Sequence, residues 1–255
     1  MRVATFNILN GRVPTDQHVD LEGFRRAIRE IDADVLALQE VDRNQHRSDH
    51  ADLTAIAAEA MGAQEHQFVA ALAGSPGSTW MAATGEEQPD SAAYGIALLS
   101  RYRVQGWQVV RLASLPFPVP MRFQGSRVPE LVRDEPRVAV VAAVETPHGC
   151  VTFVNTHLSF IDRWNGRQLR HLVTSLADES GAFVLMGDLN MGPEPAARIS
   201  GLRPVASQLT FPAEAPTQQL DHILVRGPIR GGGDTALALP VSDHRALVAE
   251  LSLDQ

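Results

Sequence analysis

Ten short apolar runs are spread along the whole chain, and this constrains the fold more than any other feature. They are Val3–Leu9, Val35–Gln39, Gln67–Ala71, Gly95–Ser100, Gln105–Leu112, Val138–Glu145, Val151–Thr156, Phe183–Met186, His222–Val225 and Ala246–Leu253. Runs of this length, rich in β-branched residues and bounded by turn residues, predict strands. Three stretches carry a helical period instead. Leu21, Phe24, Ala27, Ile28 and Ile31 share one face behind Asp20, a capping residue type. A second helix is expected from Asp49 to Met61 with Gly62 as its stop, and a third from Asn165, with Gln168 placed as in a capping box. Strands interleaved with helices predict the α/β class. The proline- and glycine-rich segments 74–93 and 115–136 read as long loops of the kind that form functional rims, and Gly231–Gly233 as a flexible point. No Ser/Gly linker interrupts the pattern, so one domain over residues 1–255 is expected.

Composition narrows the function. The chain has 255 residues, 22 basic and 30 acidic, for a formal net charge of -8. Every basic residue is Arg, which reads as a base-composition bias of the coding genome. The acidic balance disfavours long nucleic-acid polymers unless bound cations change the local sign. The lone Cys150 excludes an internal disulfide and a cysteine-cluster zinc site, and is expected to be an inert buried thiol. No apolar run approaches the roughly 20 residues of a membrane-spanning helix, and the start of the chain has no secretion-signal pattern, so a cytoplasmic location is expected.

Oxygen-bearing and imidazole side chains recur where these runs begin or end. Asn7 and Glu40 close the first two runs, Asn155 and His157 stand in VTFVNTHLSF, and Asp188 and Asn190 follow FVLMG. Asp221 and His222 stand in QQLDHILV, and Asp243 and His244 in PVSDHRALVAEL. Carboxylate and amide oxygens are hard ligands that suit magnesium, manganese or calcium. The spacings offer no HxxxH or CxxC zinc site. A magnesium site leaves coordination positions for water and phosphate, which points to phosphoester chemistry. Taken singly, Asn7 reads as a turn residue, Asp188 and Asn190 as an Asx turn before Gly192-Pro193, and either histidine as structural. His222 reads as pointing to the opposite face of its strand from Asp221.

The ordered set TFN, LQE, YGIALLSR, NTHL, GDLN, LDH and SDH resembles the endonuclease/exonuclease/phosphatase superfamily, the DNase I-like fold. The resemblance runs from TFNILNGR to SDHRALVAEL. It implies a four-layer α/β/β/α sandwich with two mostly antiparallel sheets. It further implies that Glu40 is the principal metal carboxylate, with Asn7 beside it, and that Asp188 orients or deprotonates the attacking water. Asn190 is implied to contact phosphate or metal, and Asp243 to lie where a second metal can be held. His244 is implied to be the catalytic histidine, Asp221 its orienting carboxylate, and His157 a donor to a phosphoryl oxygen. Either His244 or Asp188 could take the water's proton. Two positions depart from the pattern. Ile96 stands where an Asn is frequent, and Arg137 only loosely matches a phosphate-contacting Arg.

The expected activity is Mg2+-dependent hydrolysis of a phosphate mono- or diester, on a small or lipid-type phosphoester. A DNA or RNA nuclease is the alternative enzyme, favoured by Arg122, Arg127, Arg133 and Arg137 around the proline-rich loop. A non-catalytic binding module on the same fold is the alternative from another class, disfavoured by the intact Glu40, Asp188, Asp221 and His244.

Overall fold

In the computed structural model, residues 1–15, 18–122 and 128–253 are described. Arg127 of the arginine group lies outside them. The elements run β1 (Arg2–Asn7), α1 (Leu21–Ile31), β2 (Val35–Arg43), α2 (Leu53–Met61), β3 (Glu65–Gly74), β4 (Trp80–Ala82), β5 (Ala93–Ser100) and β6 (Val104–Leu112). They continue with β7 (Val119–Met121), β8 (Glu130–Val132), β9 (Arg137–Thr146), β10 (Gly149–His157), α3 (Trp164–Ser175) and β11 (Ala182–Asp188). The last are α4 (Pro193–Ser200), β12 (Arg203–Pro204), β13 (Asp221–Arg226), β14 (Ile229–Leu237) and β15 (Ala246–Leu253).

The strands form two large sheets, ordered β14-β15-β1-β2-β5-β3-β4 and β12-β13-β11-β10-β9-β6, and β7 pairs with β8. Each large sheet is antiparallel except for one central pair: β1 with β2 in the first, β10 with β11 in the second. Val3, Val35, Leu98, Val140, Phe153, Met186 and Leu247 interdigitate between the sheets. Phe6, Leu36 and Leu99 on the outer face of the first sheet pack against Phe24, Ile28 and Ile31 of α1 and Leu53 of α2. Leu185 and Leu224 do the same for the second sheet against Leu169 and Leu172 of α3. Central strands are therefore buried on both faces, which explains why they read as continuous apolar runs rather than as alternation. The expected four-layer sandwich is the observed one.

Local expectations fared unevenly. The Asp20 cap is present, its carboxylate accepting from the Gly23 amide at 2.7 Å. The second helix starts at Leu53, four residues later than expected, because Asp52 is the cap and accepts from Ala55 N at 3.0 Å. The third lacks the expected capping box: Arg163 occupies the cap in a left-handed conformation. Asn165 instead donates to the Asn190 carbonyl at 2.8 Å, and Gln168 bridges Ser159 N and the Ala113 carbonyl. The segment 74–93 contains β4, and 115–136 contains the β7–β8 pair. The glycine triplet belongs to β14, where ladder bonds to β15 hold it and an irregularity between Gly231 and Gly233 absorbs the extra residue. Cys150 is exposed, contrary to expectation, because it lies just past the turn that opens β10.

One glycine is required by contact. Gly187 lies in the parallel pair of the second sheet at φ 145°, and a Cβ there would sit 1.9 Å from the Thr156 carbonyl oxygen. Gly187→Ala is expected to lose about 3 kcal/mol or more of stability. Denaturant unfolding of the purified variant checks this, and a loss below about 1 kcal/mol would contradict the close approach.

Candidate active site

Both parallel pairs end at the same edge of the sandwich, and that edge carries the site. Asn7 ends β1, Glu40 stands in β2 just past its last residue paired with β1, and His157 and Asp188 end β10 and β11. Asp221 opens β13 opposite Asp188, because that strand runs antiparallel. His244 precedes β15, which runs antiparallel to β1. A single end of the sandwich thus collects the carboxyl ends of four strands and the amino ends of two.

Backbone turns aim these side chains. The β2–β5 ladder breaks between Leu38 and Val41, and Glu40 sits inside the break at φ 56°. Asn190 adopts φ 49°, and its amide donates to Asp188 Oδ1 at 3.0 Å. The Asx turn and the functional reading of this segment are therefore the same geometry. Ser242, at φ 76°, donates its hydroxyl to the Asn7 carbonyl at 2.5 Å and accepts the His244 amide at 3.0 Å, which ties the histidine loop to the end of β1.

The Asn7 carboxamide joins the two halves. Its Nδ2 lies 3.1 Å from Glu40 Oε1 and 3.1 Å from Asp188 Oδ2, so one amide of the first sheet holds a carboxylate from each sheet. His244 Nδ1 lies 2.9 Å from Asp221 Oδ2, and its Nε2 points back to within 3.8 Å of Asp188 Oδ2. Phe211 packs on the His244 ring at 4.8 Å between centroids. His157 Nε2 lies 3.6 Å from Asp188 Oδ2 and 3.2 Å from Asn190 Nδ2. Arg137 Nη1, which can only donate, lies 3.2 Å from His157 Nδ1, and Asn190 Nδ2, also a donor, faces the other ring nitrogen. These groups line a cleft of about 430 Å³ whose other walls include Tyr94, Val132, Arg133, Phe160 and Leu220.

The electrostatics follow from burial. Burial pushes the Glu40 carboxyl up, against the opposing effects of the Asn7 amide and Arg137. Burial and then Asp221 push Asp188 up to about 7, although His244 opposes them. Burial opposes the charged form of His244, but Asp221, by charge and by hydrogen bond, carries its pKa up to about 10. Burial holds His157 well below its usual range, with Arg137 and His244 adding to the effect. At neutral pH the site therefore pairs a charged His244 with a neutral His157.

All the expected site residues meet here except Asp243. Asp243 is half-buried and does not line the cleft, but its charge acts on both Glu40 and His244. His222 is buried and donates through Nε2 to the Met191 carbonyl, 2.8 Å away, facing away from the site as expected. Asn155 is not in the cleft at all; it lies fully buried beneath it. Arg137, only loosely matched in the sequence, proves to be a buried member of the site that bridges Glu135 at 3.4 Å and His157. An arginine opening an otherwise apolar strand was the available signal. Arg133 is exposed at the rim.

Residues 4–244 match the Endonuclease/Exonuclease/phosphatase family. The chain belongs to that family. Its members are phosphoester hydrolases, which supports an enzyme. Among curated proteins, none matches the chain. Solved structures share the fold. The endonuclease/exonuclease/phosphatase from Beutenbergia cavernae DSM 12333 superposes with a TM-score of 0.69 at 22% identity, over 99% of this chain and 71% of that one. The mannosyl-6-phosphatase Bt3783 of Bacteroides thetaiotaomicron VPI-5482 gives 0.59 at 15% identity, over 99% and 100%. Sphingomyelinase C from Streptomyces griseocarneus gives 0.61 at 16% identity, over 98% of each chain. Among the described residues, no helix is long and apolar enough to cross a membrane.

The carboxylate Asp221 accounts for the charge on His244. Asp221→Asn is expected to bring the His244 midpoint down from about 10 by more than one pH unit, since burial then acts unopposed by that charge. Histidine NMR titration in chelator checks this, and an unmoved midpoint would remove Asp221 from that role.

Proposed function

We propose that this protein hydrolyses a phosphate ester with the help of one divalent cation, and that its substrate is small or lipid-like rather than a nucleic-acid polymer. The observation that carries the reading is the convergence of Glu40 and Asp188 on Asn7, beside a His244 charged by Asp221. The donor set fits a hard cation. Two buried carboxylates share one neutral amide, and burial raises both, the signature of a site short of positive charge. Glu40 and Asp188, which the Asn7 amide brings together, would hold the ion, magnesium in the first instance, with manganese and calcium of the same ligand class. Bound there, it neutralises phosphoryl charge and polarises the P–O bond.

The chain's own groups do the rest. Asp188 stands between Asn7 and the His244 Nε2, placed to take the proton of an attacking water. His244 is already protonated, so it serves as a donor to a phosphoryl oxygen from Nε2 rather than as the base. Asp221 fixes the ring with its Nδ1 proton inward. His157 and Asn190 stand side by side in the cleft wall, placed to contact phosphate. Asp243 adds negative charge behind Glu40 and His244.

The cleft supports the substrate class. At about 430 Å³ it is the size of a small-ligand pocket, and Val132, Phe160, Phe211 and Leu220 give it an apolar wall. Among the described residues its lining arginines are Arg133 and Arg137, against the many phosphate contacts a polymer needs. The likeness to a mannosyl-6-phosphatase and a sphingomyelinase agrees with this reading.

Turnover of sugar-phosphate monoesters or lipid phosphodiesters with Mg2+, abolished by chelator, is the expected result. Cleavage of plasmid DNA or RNA alone would transfer the reading to a nuclease. Glu40→Gln is expected to weaken Mg2+ binding greatly by calorimetry, and unchanged affinity would contradict its role as ligand. His244→Ala is expected to lose at least about a hundredfold in rate, and a near-native rate would remove it from the reaction.

A further inference from the structure

Asn155 and Gln39 stand inside the NTH and LQE runs, yet neither side chain reaches the cleft, and both are fully buried between the sheets. They meet across the sandwich, Gln39 Nε2 donating to Asn155 Oδ1 at 2.7 Å. The Asn155 amide then donates to the Leu38 carbonyl at 2.9 Å and the Ala97 carbonyl at 2.7 Å. Leu38 and Ala97 are the last matched pair before the β2–β5 ladder breaks. Gln39 and Glu40 are the residues inside that break, so Asn155 of the second sheet supplies donors at the break in the first. Two residues after Asn155 stands His157, which is paired in register with Asp188.

Packing alone does not account for this. An apolar pair would fill the space between the sheets with less desolvation, and the carbonyls would need no cross-sheet donor in a regular ladder. The polar network is required because the left-handed bulge at Glu40 breaks the ladder, and it links that bulge to the strand carrying the other half of the site. Thr5 Oγ1, 3.0 Å from Gln39 Nε2, belongs to the same network but lies wholly within the first sheet.

We propose that Gln39 and Asn155 are positioning residues: their hydrogen bond across the sandwich sets where Glu40 stands relative to Asp188. The proposal rests on the reading that these two carboxylates grip one cation. In Gln39→Met, Mn2+ affinity by calorimetry is expected to fall about ten- to a hundredfold, the scale seen when groups supporting metal ligands are removed. Thr5→Val, which spares the cross-sheet bond, is expected to lower thermal stability and leave Mn2+ affinity within about threefold. In a Glu40→Gln background, Gln39→Met is expected to cost less than about twofold in kcat/KM, because its effect passes through Glu40. Should Gln39→Met fail to fold, Asn155→Asp, whose carboxylate cannot donate to the two carbonyls, replaces it with the same expectations. Native Mn2+ affinity in a folded variant, or full additivity with Glu40→Gln, would overturn the proposal. Were the unsubstituted protein to bind no Mn2+, the cation reading would fail. Positioning would then be judged by a crystal structure of Gln39→Met: displacement of Glu40 from Asn7 supports it, and an unmoved Glu40 overturns it.

Discussion

One carboxamide holds the two halves of the site together. Asn7 donates from one nitrogen toward Glu40 of its own sheet and toward Asp188 of the other. Remove it, and two buried carboxylates face one another with no neutral group between them, a cost the fold meets only if positive charge arrives. The backbone carbonyl of the same residue anchors Ser242 and, through it, the loop that carries His244. Ligand placement and histidine placement thus depend on one position at the end of β1.

The topology explains why that position exists. A sheet of purely antiparallel neighbours would send adjacent strand ends to opposite edges. A single parallel pair at the centre of each sheet sends two ends to the same edge, and face-to-face packing of the sheets brings the four together. The chemistry is then divided by environment rather than by residue type. Two histidines a few ångströms from the same carboxylate oxygen are shifted in opposite directions, because Asp221 outweighs burial at His244, while at His157 burial dominates and Arg137 adds to it.

Much of this was legible in the amino-acid sequence, for identifiable reasons. Central strands are apolar on both faces, so VATFN, VLALQ and FVLMG announce themselves. The motifs at their ends named Asn7, Glu40, Asp188 and His244 before any geometry. Short edge strands such as β4 and β12, three and two residues long and largely exposed, carry no such signal. The glycine triplet misled because pairing with β15, not propensity, makes it a strand. Asn165 and Gln168 have the spacing of a helix cap but are spent on neighbouring loops, a tertiary choice invisible to local rules. Asn155 shows the opposite error: a polar residue near a strand end looked like a ligand and proved to be an internal strut. Arg137 escaped firm assignment because its partners, Glu135 excepted, come from other strands.

The central claim is that Glu40 and Asp188 grip one hard dication in the cleft. Anomalous diffraction from a crystal soaked in manganese tests it most directly. The account predicts a peak within coordination distance of a carboxylate oxygen of each residue. A well-ordered cleft with no peak, or a peak bound only by groups outside it, would contradict the account.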